Sequence, residues 1–197
     1  GKLHPEMLAR HMHGFDFEHH SQPGVISISQ ATEMGTVYTS GEVKELADYA
    51  HAHGLLLHMD GARIANAAVT LGVPFREFTS GAGVDILSFG GTKNGMMYGE
   101  AVCFLKPGLA EGFKYIRKQG MQLASKMRFI AAQYIAYLSG GLWKDCASHS
   151  NRMARELQRR LKDISGIKIT QKVESNGLFV IMPDRVAAQL SREYFFY

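Results

Sequence analysis

Residues 84–105 read VDILSFGGTKNGMMYGEAVCFL. The stretch contains two apolar runs of strand length, Val84–Phe89 and Ala101–Leu105, on either side of a glycine-rich turn that carries Lys93. A surface lysine needs no such setting, whereas a lysine that is partly desolvated and closely approached by another molecule does. The pattern therefore predicts a pair of strands joined as a hairpin, with a candidate functional lysine just after the first strand.

Apolar runs and helical periodicities alternate upstream of this stretch. Runs that are apolar throughout, separated by helices, indicate an α/β fold with a mostly parallel sheet covered on both faces. The predicted elements are a short helix over 2–13, a strand over Val25–Ser29, a helix from about Gly41 to His53 with Ser40 as its cap and Gly54 as its stop, a strand over Leu55–Met59, and a helix that Asp60 opens and that ends near Leu71.

The sequence pattern changes after Pro107 from alternating strands and helices to mostly helix. Residues 108–164 have a helical pattern almost throughout, with a break near 139–141. Two short strands, Ile167–Thr170 and Leu178–Met182, and a helix over 184–193 follow. We therefore expect a large α/β domain over residues 1–141 and part of a small C-terminal α+β domain over residues 142–197.

Composition limits the classes of function. The chain has 197 residues, enough for an ordinary core, and no apolar run approaches the roughly 20 residues of a membrane helix. No signal peptide is recognisable, and the two cysteines form no disulfide motif. The net charge of +4 is spread over several helices. We expect a cytoplasmic protein with neither a membrane nor a nucleic acid as its partner.

The nine histidines raise the question of a metal site. His11, His13, His19 and His20 are close in sequence, but no second cluster follows at zinc-like spacing. The sequence therefore predicts no metal. The ends of the chain are also unusual, since it begins at Gly1 without methionine and stops in the aromatic run 194–197, which suggests a fragment cut at both ends.

Two pairs of polar residues follow apolar strands. Open α/β sheets bind their ligands at this edge, where the carboxyl ends of the strands lie. Asp60 and Arg63 follow one strand, and Thr92 and Lys93 follow another. Taken singly, Lys93 is most simply a solvated loop residue and Asp60 a helix N-cap. Together they match the demands of pyridoxal phosphate, which needs a lysine to form a Schiff base and a carboxylate to keep its ring nitrogen protonated. GGTKNG is not a phosphate-binding P-loop, because its lysine is misplaced.

Two longer stretches carry a family resemblance. QATEMGTVYTSGEVKELADYAHAHGLLLHMDGARIANA at 30–67 and DILSFGGTKNGMMYGEAVCFLKPG at 85–108 closely resemble the pyridoxal-phosphate-dependent threonine aldolases of the β-eliminating lyase group. The resemblance is to the bacterial branch that includes low-specificity and phenylserine aldolases. It implies the aminotransferase-like fold of fold type I enzymes and pyridoxal 5′-phosphate as the cofactor.

The resemblance also implies roles for single residues. Lys93 corresponds to the Schiff-base lysine, and Asp60 to the partner of the pyridine nitrogen. Arg63 corresponds to a ligand of the substrate carboxylate, and Thr92 helps to hold the cofactor or the lysine. In another branch of the family a histidine contacts the substrate hydroxyl, and Glu33 occupies its place here; either Glu33 or a water takes that task.

Family members are homo-oligomers, so a homodimer or homotetramer with its site at a subunit interface is implied. A basic pair from the neighbouring subunit reaches the cofactor phosphate, and Lys126 and Arg128 in ASKMRF match it. A phosphate loop, a ring-stacking histidine and a second arginine of the family find no match within this chain. An incomplete site, inactive on its own, is therefore expected.

The implied activity is the cleavage of L-threonine or a related β-hydroxy-α-amino acid to glycine and an aldehyde. Two alternatives stay open from the residues alone. One is another fold type I lyase or a transaminase, which would use the same lysine and aspartate. The other is a truncated chain that keeps the fold without the activity.

Overall fold

The computed structural model describes residues 1–196, and Tyr197, the last residue of the predicted second domain, lies outside the described residues. A four-stranded sheet forms the centre, in the order β1-β2-β3-β4. Strands β1, β2 and β3 are parallel, and β4 pairs antiparallel with β3. The predicted mostly parallel sheet and the predicted hairpin are both confirmed. The strands are β1 Val25–Ser29, β2 Leu56–Gly61, β3 Ile86–Gly90 and β4 Glu100–Phe104.

Eight α-helices surround and extend this sheet within the described residues. The helical pattern predicted over 108–164 is divided into α5, α6 and α7, with a break at 120–126 as well as the expected one near 139–141. The helices are α1 Pro5–Ala9, α2 Ser40–Ala52, α3 Ile64–Leu71, α4 Phe75–Phe78, α5 Phe113–Gln119, α6 Met127–Leu138, α7 Leu142–Leu161 and α8 Asp184–Leu190. A small antiparallel pair, β5 Lys168–Ile169 and β6 Val180–Ile181, precedes α8.

Helix α2 begins one residue earlier than its sequence suggested. Thr39, not Ser40, is the N-cap, because Thr39 stands three residues before Glu42 and forms a capping box with it. The Thr39 hydroxyl accepts from the Glu42 N–H at 3.2 Å, and the Glu42 carboxylate accepts from the Thr39 N–H at 2.7 Å. The same carboxylate binds the Lys2 ammonium at 2.7 Å, which ties the start of the chain to α2.

The core lies on one face of the sheet only. Buried side chains of α2, among them Leu46, pack there with Leu57 and Met59 of β2. On the other face, Val25 is 51% exposed and the alternate residues of β2 are only half-buried. The expectation of a sheet covered on both faces is therefore wrong for residues 1–196.

The physical reason is a row of polar side chains that the strands carry at every second position. His58 bridges its neighbours across the open face, with Nδ1 2.8 Å from the Ser27 hydroxyl and Nε2 2.9 Å from the Ser88 hydroxyl. These strands thus carry polar side chains among apolar ones on the open face, and they are not apolar on both faces throughout. His58 has a structural role in this row, as a bridge between three strands.

Helix α7 packs lengthwise on α3. At their contact the Asn66 amide donates to the Asn151 side-chain oxygen at 2.8 Å, and the Asn151 amide donates to the Asn66 carbonyl at 3.0 Å. Both asparagines are buried, so these hydrogen bonds fix the register of the two helices. The domain division at 141/142 stays a prediction. Helix α7, which belongs to the predicted second domain, contacts α3 of the predicted first domain.

Asp85 is the buried charge that joins the elements of the core. It is 3% exposed, and its carboxylate accepts from the Leu57 N–H at 2.8 Å. The same oxygen lies 2.8 Å from Nε2 of His51 in α2, and the other oxygen lies 3.8 Å from the Lys106 ammonium. One carboxylate thus links α2, β2 and the segment that follows β4.

We expect Asp85→Ala to lower the free energy of unfolding by about 3 kcal/mol, since it leaves a buried N–H without its acceptor. Urea denaturation measures this loss. The matched control is Asp48→Ala, because Asp48 is 63% exposed in its side chain and pairs only with Lys44 in the same helix. That control should cost less than about 0.5 kcal/mol. Equal losses in the two variants would contradict the structural role of Asp85.

Candidate active site

Three of the residues singled out in the sequence lie at one edge of the sheet. The parallel strands β1, β2 and β3 end together there, with Ser29 opposite Asp60 and Asp60 opposite Ser88. Asp60 therefore lies on the middle strand of the three. Glu33 lies in the turn that follows β1, and Lys93 lies three residues beyond β3.

Asp60 belongs to strand β2 and does not open a helix. Helix α3 begins at Ile64 and its N-cap is Arg63, so the prediction that Asp60 starts or caps this helix is wrong. The reason is that Asp60 and Gly61 still pair with β3. One carboxylate oxygen of Asp60 accepts from the Ala62 N–H at 2.9 Å. Within residues 1–196 the other oxygen accepts no hydrogen bond, which leaves it available to a ligand.

Glu33 follows β1, the strand next to that of Asp60, and Arg63 lies three residues after Asp60, just beyond β2. Arg63 is half-buried at the start of α3, and Glu33 is exposed. In the part of the chain that the structure describes, neither side chain forms an ion pair. Within residues 1–196, Asp60, Arg63 and Glu33 therefore carry charges that no ion pair within the chain neutralises.

At the two glycines before Lys93, other atoms of the protein fill the space that a side chain would take. A Cβ on Gly90 would lie 2.8 Å from the Ala62 Cα, and a Cβ on Gly91 would lie 2.0 Å from the Met96 sulfur. At Gly90 and Gly91 the protein's own atoms thus fill the space that a side chain would take, and close approach of a cofactor to this turn stays a prediction. The two glycines let the turn after β2 pack over the end of β3, and let Met96 fold back beneath the lysine turn.

Lys93 and Thr92 border different cavities. Lys93 is exposed and borders a cavity of about 440 Å³ together with Asp145, Cys146 and His149 of α7. Thr92 borders a larger, mostly apolar cavity of about 1150 Å³ between β4, α5 and α6. The Thr92 hydroxyl is engaged within the chain, since it accepts from the Gly99 N–H at 3.1 Å.

The basic pair at the start of α6 stands apart from the other candidates. Lys126 is the N-cap of α6, Arg128 lies in its first turn, and both are exposed. The Lys126 ammonium contacts only the neighbouring Ser125 hydroxyl, at 3.1 Å. Among residues 1–196 neither cation forms an ion pair with Asp60. The structure therefore does not bring this pair to Asp60 within one chain.

Helix α6 supplies groups that no sequence pattern singles out. The Gln133 side-chain oxygen accepts from the Met97 N–H at 2.9 Å, and the Tyr134 hydroxyl donates to the Phe89 carbonyl at 3.0 Å. Burial raises the pKa of Tyr134 to about 12, so this hydroxyl stays protonated and remains a donor. These contacts span about 40 positions, and no short-range spacing signals them.

Residues 1–196 contain neither a candidate metal-binding cluster nor a candidate membrane-spanning helix. No group of three or more His, Cys, Asp or Glu side chains is arranged to hold a metal ion there. Over the same residues, no helix combines the length and the apolar character that crossing a membrane requires.

Comparison with known proteins places the chain in a known family. A family model described as beta-eliminating lyase matches residues 1–184, and the chain belongs to this family. It is 45% identical over 180 residues to a low specificity L-threonine aldolase of Pseudomonas aeruginosa, a match that covers 91% of this chain and 52% of that protein. A second low specificity L-threonine aldolase, from another Pseudomonas, is 46% identical over 84% of this chain and 48% of its own length.

Solved structures agree with this family. A threonine aldolase from Leishmania major superposes with a TM-score of 0.92 and 30% identity, over 100% of this chain and 57% of that one. Mouse CSAD superposes with a TM-score of 0.69 over 98% of this chain and 44% of its own, and at 16% identity it shows the fold alone. The predicted aminotransferase-like, fold type I architecture is thereby confirmed. The chain spans about half the length of the curated relatives it matches.

Proposed function

We propose that this chain is part of a pyridoxal-phosphate-dependent aldolase that cleaves L-threonine or a related β-hydroxy-α-amino acid to glycine and an aldehyde. One observation carries the proposal. Asp60 and Lys93 follow or end neighbouring parallel strands at one sheet edge, in a chain 45% identical to a protein named as a low specificity L-threonine aldolase. That edge is where open α/β sheets bind their ligands.

The residues at this edge suit pyridoxal 5′-phosphate. Lys93 supplies a primary amine for covalent attachment to an aldehyde, with loss of one water. Within residues 1–196 one carboxylate oxygen of Asp60 accepts no hydrogen bond, which suits a protonated ring nitrogen. When bound, the cofactor supplies an electron sink next to the α-carbon of the substrate.

The remaining residues act on the amino acid itself. Arg63 binds and orients the substrate carboxylate, because a guanidinium matches it with two parallel hydrogen bonds. Glu33 accepts the proton of the β-hydroxyl, directly or through a water, which allows the bond between the α- and β-carbons to break. Thr92 holds the loop that carries Lys93, since its hydroxyl already binds the Gly99 N–H.

The test is product analysis with the full-length protein, L-threonine and added cofactor. An aldolase forms glycine and acetaldehyde in equal amounts without a second substrate. A transaminase would instead consume a 2-oxo acid and form no aldehyde. A non-catalytic chain would form neither product and would leave an added 2-oxo acid unconsumed, so parallel assays with and without a 2-oxo acid separate the three interpretations.

We also propose a homodimer or homotetramer in which a neighbour completes the site. The support is an exposed apolar surface on and beside α6, where Phe129 is 61% and Ile135 68% exposed, together with Val102, Leu138 and Leu142. Clusters of exposed large apolar side chains often mark an interface. The cytoplasm is proposed as the compartment, in keeping with the free thiols of Cys103 and Cys146.

Arg128→Ala should weaken cofactor affinity by about 10-fold or more, because Arg128 would supply a charge-assisted bond to the neighbour's cofactor phosphate. The site of covalent attachment should stay at Lys93. Titration of the full-length protein with cofactor measures the affinity. Arg155→Ala is the matched control, since Arg155 is exposed on α7 and has no role in the proposed site.

Mixed oligomers decide whether Arg128 acts across the interface. Subunits with Arg128→Ala combined with subunits with Lys93→Ala should regain activity, since one of the two sites then has both residues intact. Mixed oligomers no more active than the separate mutants would show that Arg128 acts within its own subunit or does not touch the phosphate.

A further inference from the structure

The turn that carries Lys93 is short and is closed by backbone bonds to a single carbonyl. It is a single 3₁₀ turn over Thr92–Asn94, and the Asn94 and Met96 N–H groups donate to the Gly91 carbonyl at 3.0 and 3.2 Å. Strand β3 has already ended at Gly90, so no ladder bond of the sheet reaches Lys93. The direction of the lysine therefore depends on contacts made by its neighbours.

Asn94 makes those contacts. It is 6% exposed although Lys93 beside it is exposed, so the two side chains leave the turn in different directions. The Asn94 amide donates to the Tyr137 hydroxyl oxygen at 2.6 Å and to the Trp143 carbonyl at 2.9 Å. Both donor positions of one amide are thus used, one on the last turn of α6 and one on the first turn of α7.

The anchoring point is itself rigid. Tyr137 is 1% exposed, and burial raises its pKa, so its hydroxyl stays neutral and can accept from an amide. Trp143 offers a backbone carbonyl, and its ring packs against Phe75 at a tilt of 44°, with 4.6 Å between ring centroids. A carboxylate in place of the Asn94 amide would face the Trp143 carbonyl with no proton to donate.

We infer that Asn94 is a positioning residue for Lys93, acting through the Tyr137 hydroxyl and the Trp143 carbonyl. The inference rests on the proposed function, in which Lys93 holds the cofactor covalently. A residue bound on one side by two hydrogen bonds fixes the backbone of the next residue, and a misplacement of about 1 Å at a reacting group costs up to roughly 100-fold in rate.

The test measures attachment, not turnover. Full-length wild type, Asn94→Ala and Tyr137→Phe are mixed with pyridoxal 5′-phosphate, treated with borohydride at timed intervals, and digested for peptide mass mapping. We expect the rate of label appearance on Lys93 to fall by about 10-fold or more in Asn94→Ala and by about 3-fold in Tyr137→Phe. Should Asn94→Ala fail to fold, Tyr137→Phe removes a single hydroxyl and carries the test.

Tyr134→Phe is the matched control. It removes a hydroxyl from the same helix, and that hydroxyl binds the Phe89 carbonyl in β3 instead of the lysine turn. We expect its labelling rate to match wild type even if its melting temperature falls as far as that of Tyr137→Phe. Equal falls in labelling for both tyrosine variants would overturn the inference, because they would then report stability alone.

Failure of the inference differs from failure of the proposed function. A wild type labelled at Lys93, with Asn94→Ala and Tyr137→Phe labelled just as fast, overturns only the positioning role. A wild type with no label on Lys93 overturns the proposed function and the positioning role with it.

Discussion

Lys93→Ala is expected to abolish the borohydride-trapped adduct of pyridoxal phosphate while leaving the fold intact. Only a primary amine attaches covalently to the aldehyde, and alanine has none. The fold should persist because Lys93 is exposed and forms no ion pair within residues 1–196. Peptide mapping of the reduced full-length protein locates the label.

Lys118→Ala is the control for this experiment, since Lys118 is exposed at the end of α5, away from the sheet edge. It should keep the label in full. A label mapped to any other lysine in the wild type would refute the assignment of Lys93. A melting temperature equal to wild type shows that the loss of the adduct is not a loss of structure.

Asp60→Asn has the second largest expected effect, a fall in kcat of roughly 100-fold or more with little change in KM. The side-chain oxygen of asparagine can still accept from the Ala62 N–H, so the turn after β2 keeps its shape. What is lost is the charge that would hold the ring nitrogen protonated. Steady-state kinetics of the full-length protein with L-threonine measure both constants.

The control for Asp60→Asn lies in the exposed ion pair between Lys44 and Asp48 of α2. Asp48→Asn makes the same chemical substitution at a carboxylate whose partner is Lys44, one helical turn away. Turnover of that variant should equal wild type. If Asp60→Asn were also close to wild type, Asp60 would serve only to bind the Ala62 N–H.

Local patterns predicted the parallel sheet, because an apolar run followed by a turn and a helix has few other solutions. They placed β1 correctly at Val25–Ser29 and paired β3 with β4. They failed where two elements meet. The helix expected to open at Asp60 begins at Ile64, because β2 continues to pair with β3 through Gly61, and pairing with a distant strand leaves no mark on the local sequence.

The open face of the sheet is a second case of this kind. VISIS and LLLHM look apolar when each is read as a run, yet Ser27 and His58 point to the same face and hydrogen-bond to each other there. Only the register of the strands shows this, since two-residue alternation within five residues is a weak signal beside three aliphatic neighbours. The prediction of two covered faces failed for that reason.

The sequence by itself determined which functional groups lie at the carboxyl ends of the strands: a lysine and an aspartate that follow or end strands, and an arginine three residues beyond the aspartate. Residue type and chain order settle that much, because parallel strands bring their carboxyl ends to one edge. The tertiary structure alone decided what holds the lysine. Asn94 lies 43 positions from Tyr137 and 49 from Trp143, and their contact exists because α6 and α7 pack against the turn, which no local pattern records.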